Sequence, residues 1–313
     1  MTSPHTTTGI VLGSGNAVIA EGLAKQYPSG VWGARSVSFS SDYGELIVLL
    51  GPNGAGKTTT INMLTTLIKP SGGMGLVGGY DIVGERDKVR RIVALMPQDA
   101  SMSSDWTPYE AVKWYLVARG FSISDAGREA RVWLEELDLY DARNRLGWWL
   151  SGGQRKRVLA AMVLATGAPV IFLDEPTSGI DVEGKYKVWS AIRKACRDAR
   201  AVIYTTHDMR EAELVADRVV MIGEGKTIII GKPKDLVDRL PFKYRIVLRD
   251  KANRPEDSVA EMIVGDITIT YYRDRGDAIR ALDSIETSAS IEPVSLEDAY
   301  LYYMKMRGEG RRA

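Results

Sequence analysis

Residues 51–59, "GPNGAGKTT", place Gly51, Gly56, Lys57 and Thr58 in the spacing G-x-x-x-x-G-K-[ST], which composition alone would produce about 0.02 times in a chain of this length. Glycines let backbone N–H groups close on phosphate oxygens, and a helix beginning near Lys57 turns its positive end toward the same anion. The whole turn, Gly51, Pro52, Asn53, Gly54, Ala55 and Gly56, is therefore a candidate phosphate cradle, with Lys57 reaching the β and γ phosphates. The Thr58 hydroxyl suits Mg²⁺, a hard cation that takes oxygen ligands, and Thr59 can bond the α phosphate. A flexible glycine turn with a surface lysine is the plain alternative, but the flanking segments argue against it: "GELIVLLG" reads as a buried strand before the turn, and helical periodicity follows it.

A second stretch, "VIFLDE" at 170–175, runs apolar residues through a strand and ends it in two carboxylates. That order offers Asp174 to Mg²⁺ and sets Glu175 beside a γ phosphate. Taken alone, it is equally a solvated strand end. A third, "RLGWWLSGGQRKRV" at 145–158, has no nucleophile and no metal cluster. Ser151 as a helix N-cap, followed by the amides of Gly152 and Gly153, is an anion site in local terms, or simply a capped helix.

The elements that must hold these residues follow an α/β order. Strand patterns at "APVIFLDE" and "AVIYTTHD" flank the helical "EGKYKVWSAIRKACRDA", the alternation that builds a parallel sheet. Between about 99 and 167 the chain turns helical, as an inserted subdomain. Past "GKPKDLVDRLP" a small α+β appendage is expected over 241–313, with strands at "KYRIVLR" and "DITITYY", helices at "RGDAIRALDS" and "SLEDAYLYYMKM", and a frayed "RGEGRRA" end. Residues 1–16 read as a flexible leader and 17–240 as the nucleotide-binding domain. No tandem repeat of that core is found.

Composition narrows the function. The chain has 313 residues, 45% apolar, and 41 Lys and Arg against 40 Asp and Glu, so no bulk charge argues for a nucleic-acid partner. No apolar run approaches the roughly 20 residues that cross a bilayer, and the start lacks the pattern of a secretory signal; a cytoplasmic protein is expected. The single cysteine, Cys196, reads as a passive helix residue with no disulfide partner, and the two histidines do not complete a zinc site with it.

"GPNGAGKTTT", "LSGGQ" and "VIFLDEPTSGID" followed by "TTHD" occur in the order and approximate spacing of the ATP-binding cassette (ABC) ATPases, which the chain resembles from about residue 18 to 235. The resemblance implies a P-loop NTPase core with ABC-type antiparallel β and helical subdomains. It implies that Ser151, Gly152, Gly153 and Gln154 contact the γ phosphate of ATP held by another copy in a head-to-tail dimer. Tyr27 resembles the aromatic that stacks on adenine, Gln98 the glutamine at Mg²⁺ or the attacking water, Asp181 the dimer-crossing acid, and His207 the switch histidine at the γ phosphate. Ile180, before Asp181, is a mild departure from the family pattern. Together these imply ATP hydrolysis with Mg²⁺, Glu175 as general base and Lys57, Gln98 and His207 around it.

Lys57 and Ser151 are fewer than a hundred residues apart, too close for the long coiled coil of the DNA-repair relatives. One cassette and one cysteine also disfavour the translation-factor and excision-repair types. "IEPVSLEDAYLYYMKM" at 291–306 is similar to the P-S-L-E-D-x-[FY] ending of drug-resistance and polysaccharide-export ATPases, with Val294 inserted. The expectation is an exporter ATPase on the cytoplasmic face of the membrane, partnered by a second copy or a homologous subunit and by a separate membrane permease. A soluble ATPase serving an assembly such as iron–sulfur cluster machinery is the alternative. Trp106, Pro108 and Tyr109 alter the surface expected to receive the membrane partner. Trp106, Trp114, Trp133, Trp148 and Trp149 could line that surface, but as a group they fit the subdomain core better.

Overall fold

The computed structural model describes residues 15–248, 258–284 and 289–309. Of the expected leader, residues 1–14 lie outside the described residues. The chain divides into two compact units, one of residues 1–208 and 215–230, the other of residues 209–214 and 231–313.

The first unit is built on one sheet. Its strands are β1 (Val18–Gln26), β2 (Trp32–Ser41), β3 (Leu46–Leu50), β4 (Gly72–Val77), β5 (Tyr80–Asp81), β6 (Val93–Met96), β7 (Val170–Asp174), β8 (Ala201–Thr206), β9 (Arg218–Gly223) and β10 (Lys226–Gly231). They run in the order β5-β4-β1-β2-β10-β9-β3-β8-β7-β6. The half from β9 to β6 is parallel, while β1 pairs antiparallel with β2 and β4 and β5 pairs antiparallel with β4. Every residue of β3, β7 and β8 is buried. This is why those segments read as unbroken apolar runs: a parallel strand covered on both faces has no solvent side to encode. Parallel pairing also carries the C-terminal ends of β3, β6, β7 and β8 to one edge, where ligands of open α/β sheets bind.

The helices of this unit are α1 (Lys57–Leu64), α2 (Arg86–Ile92), α3 (Pro108–Ala118), α4 (Ile123–Glu136), α5 (Gly152–Leu164) and α6 (Val182–Arg197). Their starts are written in local chemistry. Thr107 caps α3 through a reciprocal pair with Glu110, with Pro108 in the first turn, and Ser151 caps α5 in the same way with Gln154. Helices α3, α4 and α5 pack on one another. The tryptophans correct the expectation of a shared core: Trp133 is 5% exposed, but Trp106 and Trp114 are half-exposed, and Trp148 and Trp149 stand 68% and 78% exposed. The reason is local, since the turn Gly147–Trp149 is bonded to the 103–106 loop through Gly147 N to Trp106 O and Trp148 N to Ser104 O. The backbone is thereby fixed with both indoles outward. Cys196 is buried in α6, and burial pushes its thiol up to about 12, so it stays protonated at neutral pH.

The second unit includes most of α7 (Met209–Val215), then α8 (Pro233–Asp238), β11 (Tyr244–Leu248), β12 (Ala260–Val264), β13 (Ile267–Tyr272), α9 (Arg275–Asp283), β14 (Ile291–Pro293) and α10 (Leu296–Glu309). The strands form a second sheet in the order β12-β13-β11-β14, antiparallel throughout. Helix α10 continues to Glu309, so the first three residues of "RGEGRRA" are helical; the last four lie outside the described residues.

The "PVSLED" ending has a structural role in this unit. The buried Asp298 carboxylate accepts hydrogen bonds from Arg245 Nη1 (2.9 Å), Tyr271 Oη (2.9 Å), Ser295 N (2.8 Å) and Ser295 Oγ (3.1 Å). The inserted Val294 donates its N–H to Lys243 O at 3.0 Å, prolonging the β11–β14 pairing. Removing one partner of a buried ion pair leaves the other charge stranded. Asp298→Ala is therefore expected to destabilise the second unit by about 3 kcal/mol, read as a lowered denaturant midpoint. An unchanged midpoint would mean that Glu292, 2.9 Å from Arg245, satisfies the arginine by itself.

Candidate functional site

At the end of β3 the chain turns through Gly51–Gly56 into α1. Gly56 has φ 103°, and a Cβ there would stand 2.5 Å from Gly33 O, so both the backbone angle and the space demand glycine. The turn closes around the Lys57 ammonium, which donates to Gly51 O (2.8 Å) and Pro52 O (3.1 Å) and lies 3.8 Å from Glu175 Oε1. Burial pulls the Lys57 pKa below the usual lysine range, and the carboxylates of Glu175 and Asp174 pull against it. Above the turn is a cleft of about 390 Å³ lined by Val31, Trp32, Gly33, Asn53, Gly54, Ala55, Gly56, Lys57, Thr58, Thr59, Gln98 and Glu175.

Strand β7 delivers the acids. Asp174 stands opposite Thr205 of β8 in register. The Thr205 hydroxyl donates to Asp174 Oδ1 and accepts the Glu175 N–H at 3.0 Å, so one side chain holds both acids. Glu175 has φ 48°, a left-handed backbone that costs a non-glycine residue on the order of 1 kcal/mol and persists only where surroundings enforce it. Its Oε1 lies 3.1 Å from His207 Nδ1, and its Oε2 accepts from Gln98 Nε2 at 3.5 Å. Residues distant in sequence, Lys57, Gln98 and His207, thus converge on one buried carboxylate.

The signature residues stand apart from this cleft. Ser151–Gln154 are not among the residues that line it; instead a Cβ on Gly153 would meet Ile180 Cα at 3.6 Å and Asp181 Oδ1 at 3.7 Å. The Ser151 side chain accepts from Gln154 N at 3.1 Å, and the Gln154 side chain accepts from Ser151 N at 3.0 Å. Ser151 and Gly152 are exposed, so the start of α5 lies at the surface, next to the Gly179–Asp181 turn.

Tyr27 packs its ring against Gly33, where a Cβ would stand 2.6 Å from Tyr27 Cε2, and its hydroxyl lies 3.4 Å from Thr59 Oγ1. Val31 and Trp32 line the cleft mouth instead, with the Arg35 guanidinium 5.7 Å from the Trp32 ring centre. Sequence reasoning did not single out Trp32, Thr205 or Lys156, whose ammonium donates to Gln98 O at 3.0 Å. An aromatic near the start of β2 was a usable signal for Trp32. Nothing local marks the other two.

Among the described residues no three His, Cys, Asp or Glu side chains gather as a metal cluster. The Thr58 hydroxyl in the cleft and the Asp174 carboxylate at the buried end of β7 form the sparse donor set that suits Mg²⁺, which keeps several waters and takes phosphate oxygens for the rest of its shell. The residues therefore fit a nucleotide-bound Mg²⁺ better than an ion held by protein alone.

The profile of the family described as ABC transporter matches residues 34–178. The daunorubicin/doxorubicin resistance ATP-binding protein DrrA of Streptomyces peucetius is 34% identical over 259 residues, covering 82% of this chain and 78% of that protein. ABC transporter A family member 7 of Dictyostelium discoideum is 34% identical over 230 residues, 73% of this chain but only 27% of the relative's length. Among solved structures, a dimeric ATP-binding cassette in a post-hydrolysis state with ADP and Pi is similar with a TM-score of 0.63 at 26% identity, covering 69% of this chain and 98% of that one.

Proposed function

Because the chain belongs to the ABC transporter family, we propose that it is the ATP-hydrolysing subunit of an exporter, working as a head-to-tail pair beneath a separate membrane-spanning subunit. The observation that carries the reading is the convergence of Lys57, Gln98 and His207 on Glu175 at the ends of the parallel strands. The backbone N–H groups of Gly51 and of residues 53–56, with Lys57, would hold the ATP phosphates, Thr59 would bond the α phosphate, and Tyr27 and Trp32 would flank the base. Thr58, Gln98 and Asp174 would hold Mg²⁺, whose chemistry is to neutralise charge on the phosphates. Glu175 takes the proton of the attacking water, while His207 and Gln98 orient water and γ phosphate for in-line transfer.

In the pair, the Ser151–Gln154 turn of each copy, exposed at Ser151 and Gly152, closes on the γ phosphate held by the other, with Asp181 beside it. The exporter assignment is supported by the drug-resistance name of a relative that this chain largely covers and by the "SLED" ending. Among the described residues no helix is long and apolar enough to cross a membrane; the proposal assigns the path for cargo to a separate membrane-spanning subunit. A location on the cytoplasmic face of the membrane is part of the same proposal.

Affinity purification of the full chain from membranes tests the transport half. Recovery of an integral membrane protein whose presence stimulates Mg²⁺-dependent phosphate release is the expected result. Recovery of soluble partners alone would sink the transporter reading while leaving the ATPase intact.

A further inference from the structure

The site contains one group that the proposed chemistry does not use. Lys156 lies one turn into α5, five residues after the Ser151 cap, and its ammonium donates to Gln98 O at 3.0 Å. The Gln98 side chain, on the same residue, reaches Glu175 Oε2. Lys156 is half-buried; burial draws its pKa down, while the carboxylates of Glu175, Asp174 and Asp99 oppose that. The lysine thus feels the acidic end of β7 through space, while its ammonium donates to the backbone of the loop between β6 and α3.

We infer that Lys156 is a positioning residue that ties the signature helix to the Gln98 loop within one chain, so that a displacement of α5 moves Gln98 against Glu175. The inference rests on the reading of Ser151–Gln154 as the segment that meets the other copy's nucleotide. The path is short: from the Ser151 cap along one and a half turns of a rigid helix to Lys156, across one hydrogen bond to Gln98 O, and through the Gln98 side chain to Glu175. A helix cannot shift at its N-terminus without carrying position 156 along, and a loop carbonyl held by an ammonium follows it. Just before Gln98 the loop is fixed by β6, whose Met96 pairs with Leu173 of β7, so the displacement is taken up at residues 97–99.

The tether differs from the packing that supports α5. Arg157, next in the chain, is buried and donates to Leu137 O at 2.8 Å and Asp138 O at 3.2 Å, closing the end of α4. Arg157 therefore fixes α5 against the helical layer, and Lys156 links the same helix to the reacting acid. Adjacent residues on one helix serve two directions because successive side chains diverge by about 100°.

The test compares Lys156→Met, which keeps the stem and removes the donor, with Lys156→Arg, which restores a cation of similar reach. In the full chain, Lys156→Met is expected to lower kcat about tenfold, the scale of a modestly misplaced catalytic group, with KM for ATP within about twofold. Lys156→Arg is expected to recover most of the loss. Amide hydrogen exchange supplies a readout independent of turnover: peptides covering 96–101 should exchange faster in Lys156→Met at an unchanged thermal midpoint. Unchanged kcat with unchanged exchange would overturn the tether, as would a rise in KM alone or an arginine variant as impaired as methionine. A wild-type chain that binds ATP without hydrolysing it would instead overturn the ATPase reading, and the exchange comparison would still decide the tether.

Discussion

Glu175→Gln lowers ATP turnover at least about a hundredfold, the lower end of what a positioned general base contributes, while nucleotide affinity stays within a few-fold. The geometry sets this expectation. Glu175 is the point on which Lys57, Gln98 and His207 converge, and its carboxylate is buried. Glutamine preserves the shape and an acceptor oxygen, so the contacts that place residue 175 largely survive. The substitution removes the negative charge and the capacity to take a proton. Lys57 keeps Gly51 O and Pro52 O, which is why phosphate binding should persist. With hydrolysis blocked, the ATP-bound pair should accumulate, seen as a doubling of mass by light scattering when Mg-ATP is added. Turnover within threefold of wild type would remove Glu175 from the role of base.

Ser151→Arg is the complementary experiment, because it leaves the phosphate loop untouched. Losing the cap costs about 1 kcal/mol, too little to unfold a chain of this size, and Ser151→Ala controls for that cost alone. Arginine adds a long cation on an exposed turn that the proposed dimer would bury. Expected results are ATP binding near the wild-type level, turnover reduced at least about a hundredfold, and loss of the ATP-induced mass increase when the change is added to Glu175→Gln. Ser151→Ala should retain most of the activity. Full turnover in Ser151→Arg would show that each copy works alone and would dismantle the head-to-tail reading.

How much of this was legible in the sequence depended on burial symmetry. The strands β3, β7 and β8 were readable because they are covered on both faces and so carry uninterrupted apolar runs. By contrast β2 escaped notice: its pairing with β1 shifts register at several points, and bulges break the alternation that marks a half-buried strand. The glycine-rich β4 carries too few side chains to show any period. The tryptophans misled because apolar character says how large a side chain's transfer free energy is, not which way the backbone aims it; at 148 and 149 the bonded turn decides.

The candidate site divides along the same line. Lys57, Thr58 and the two acids sit in contiguous motifs, and a short motif carries its own geometry. Thr205 and Lys156 act through partners 30 and 58 positions away, contacts that exist only once the parallel register and the seat of α5 are set. The likeness of Tyr27 to a base-stacking residue came from its place before the loop, whereas the packing of its ring on Gly33 and the place of Trp32 in the cleft lining depend on the fold.

The left-handed backbone at Glu175 bears on how such a chain can change over generations. Asparagine and glycine accept that conformation at lower cost, so the position where the chemistry is concentrated is also one where inactivating changes relieve strain. Selection for folding robustness alone would drift toward an inert, better-tempered protein. Glutamate there is held at a cost in folding stability, and stability gained at residue 175 in an engineered variant is a warning rather than an improvement.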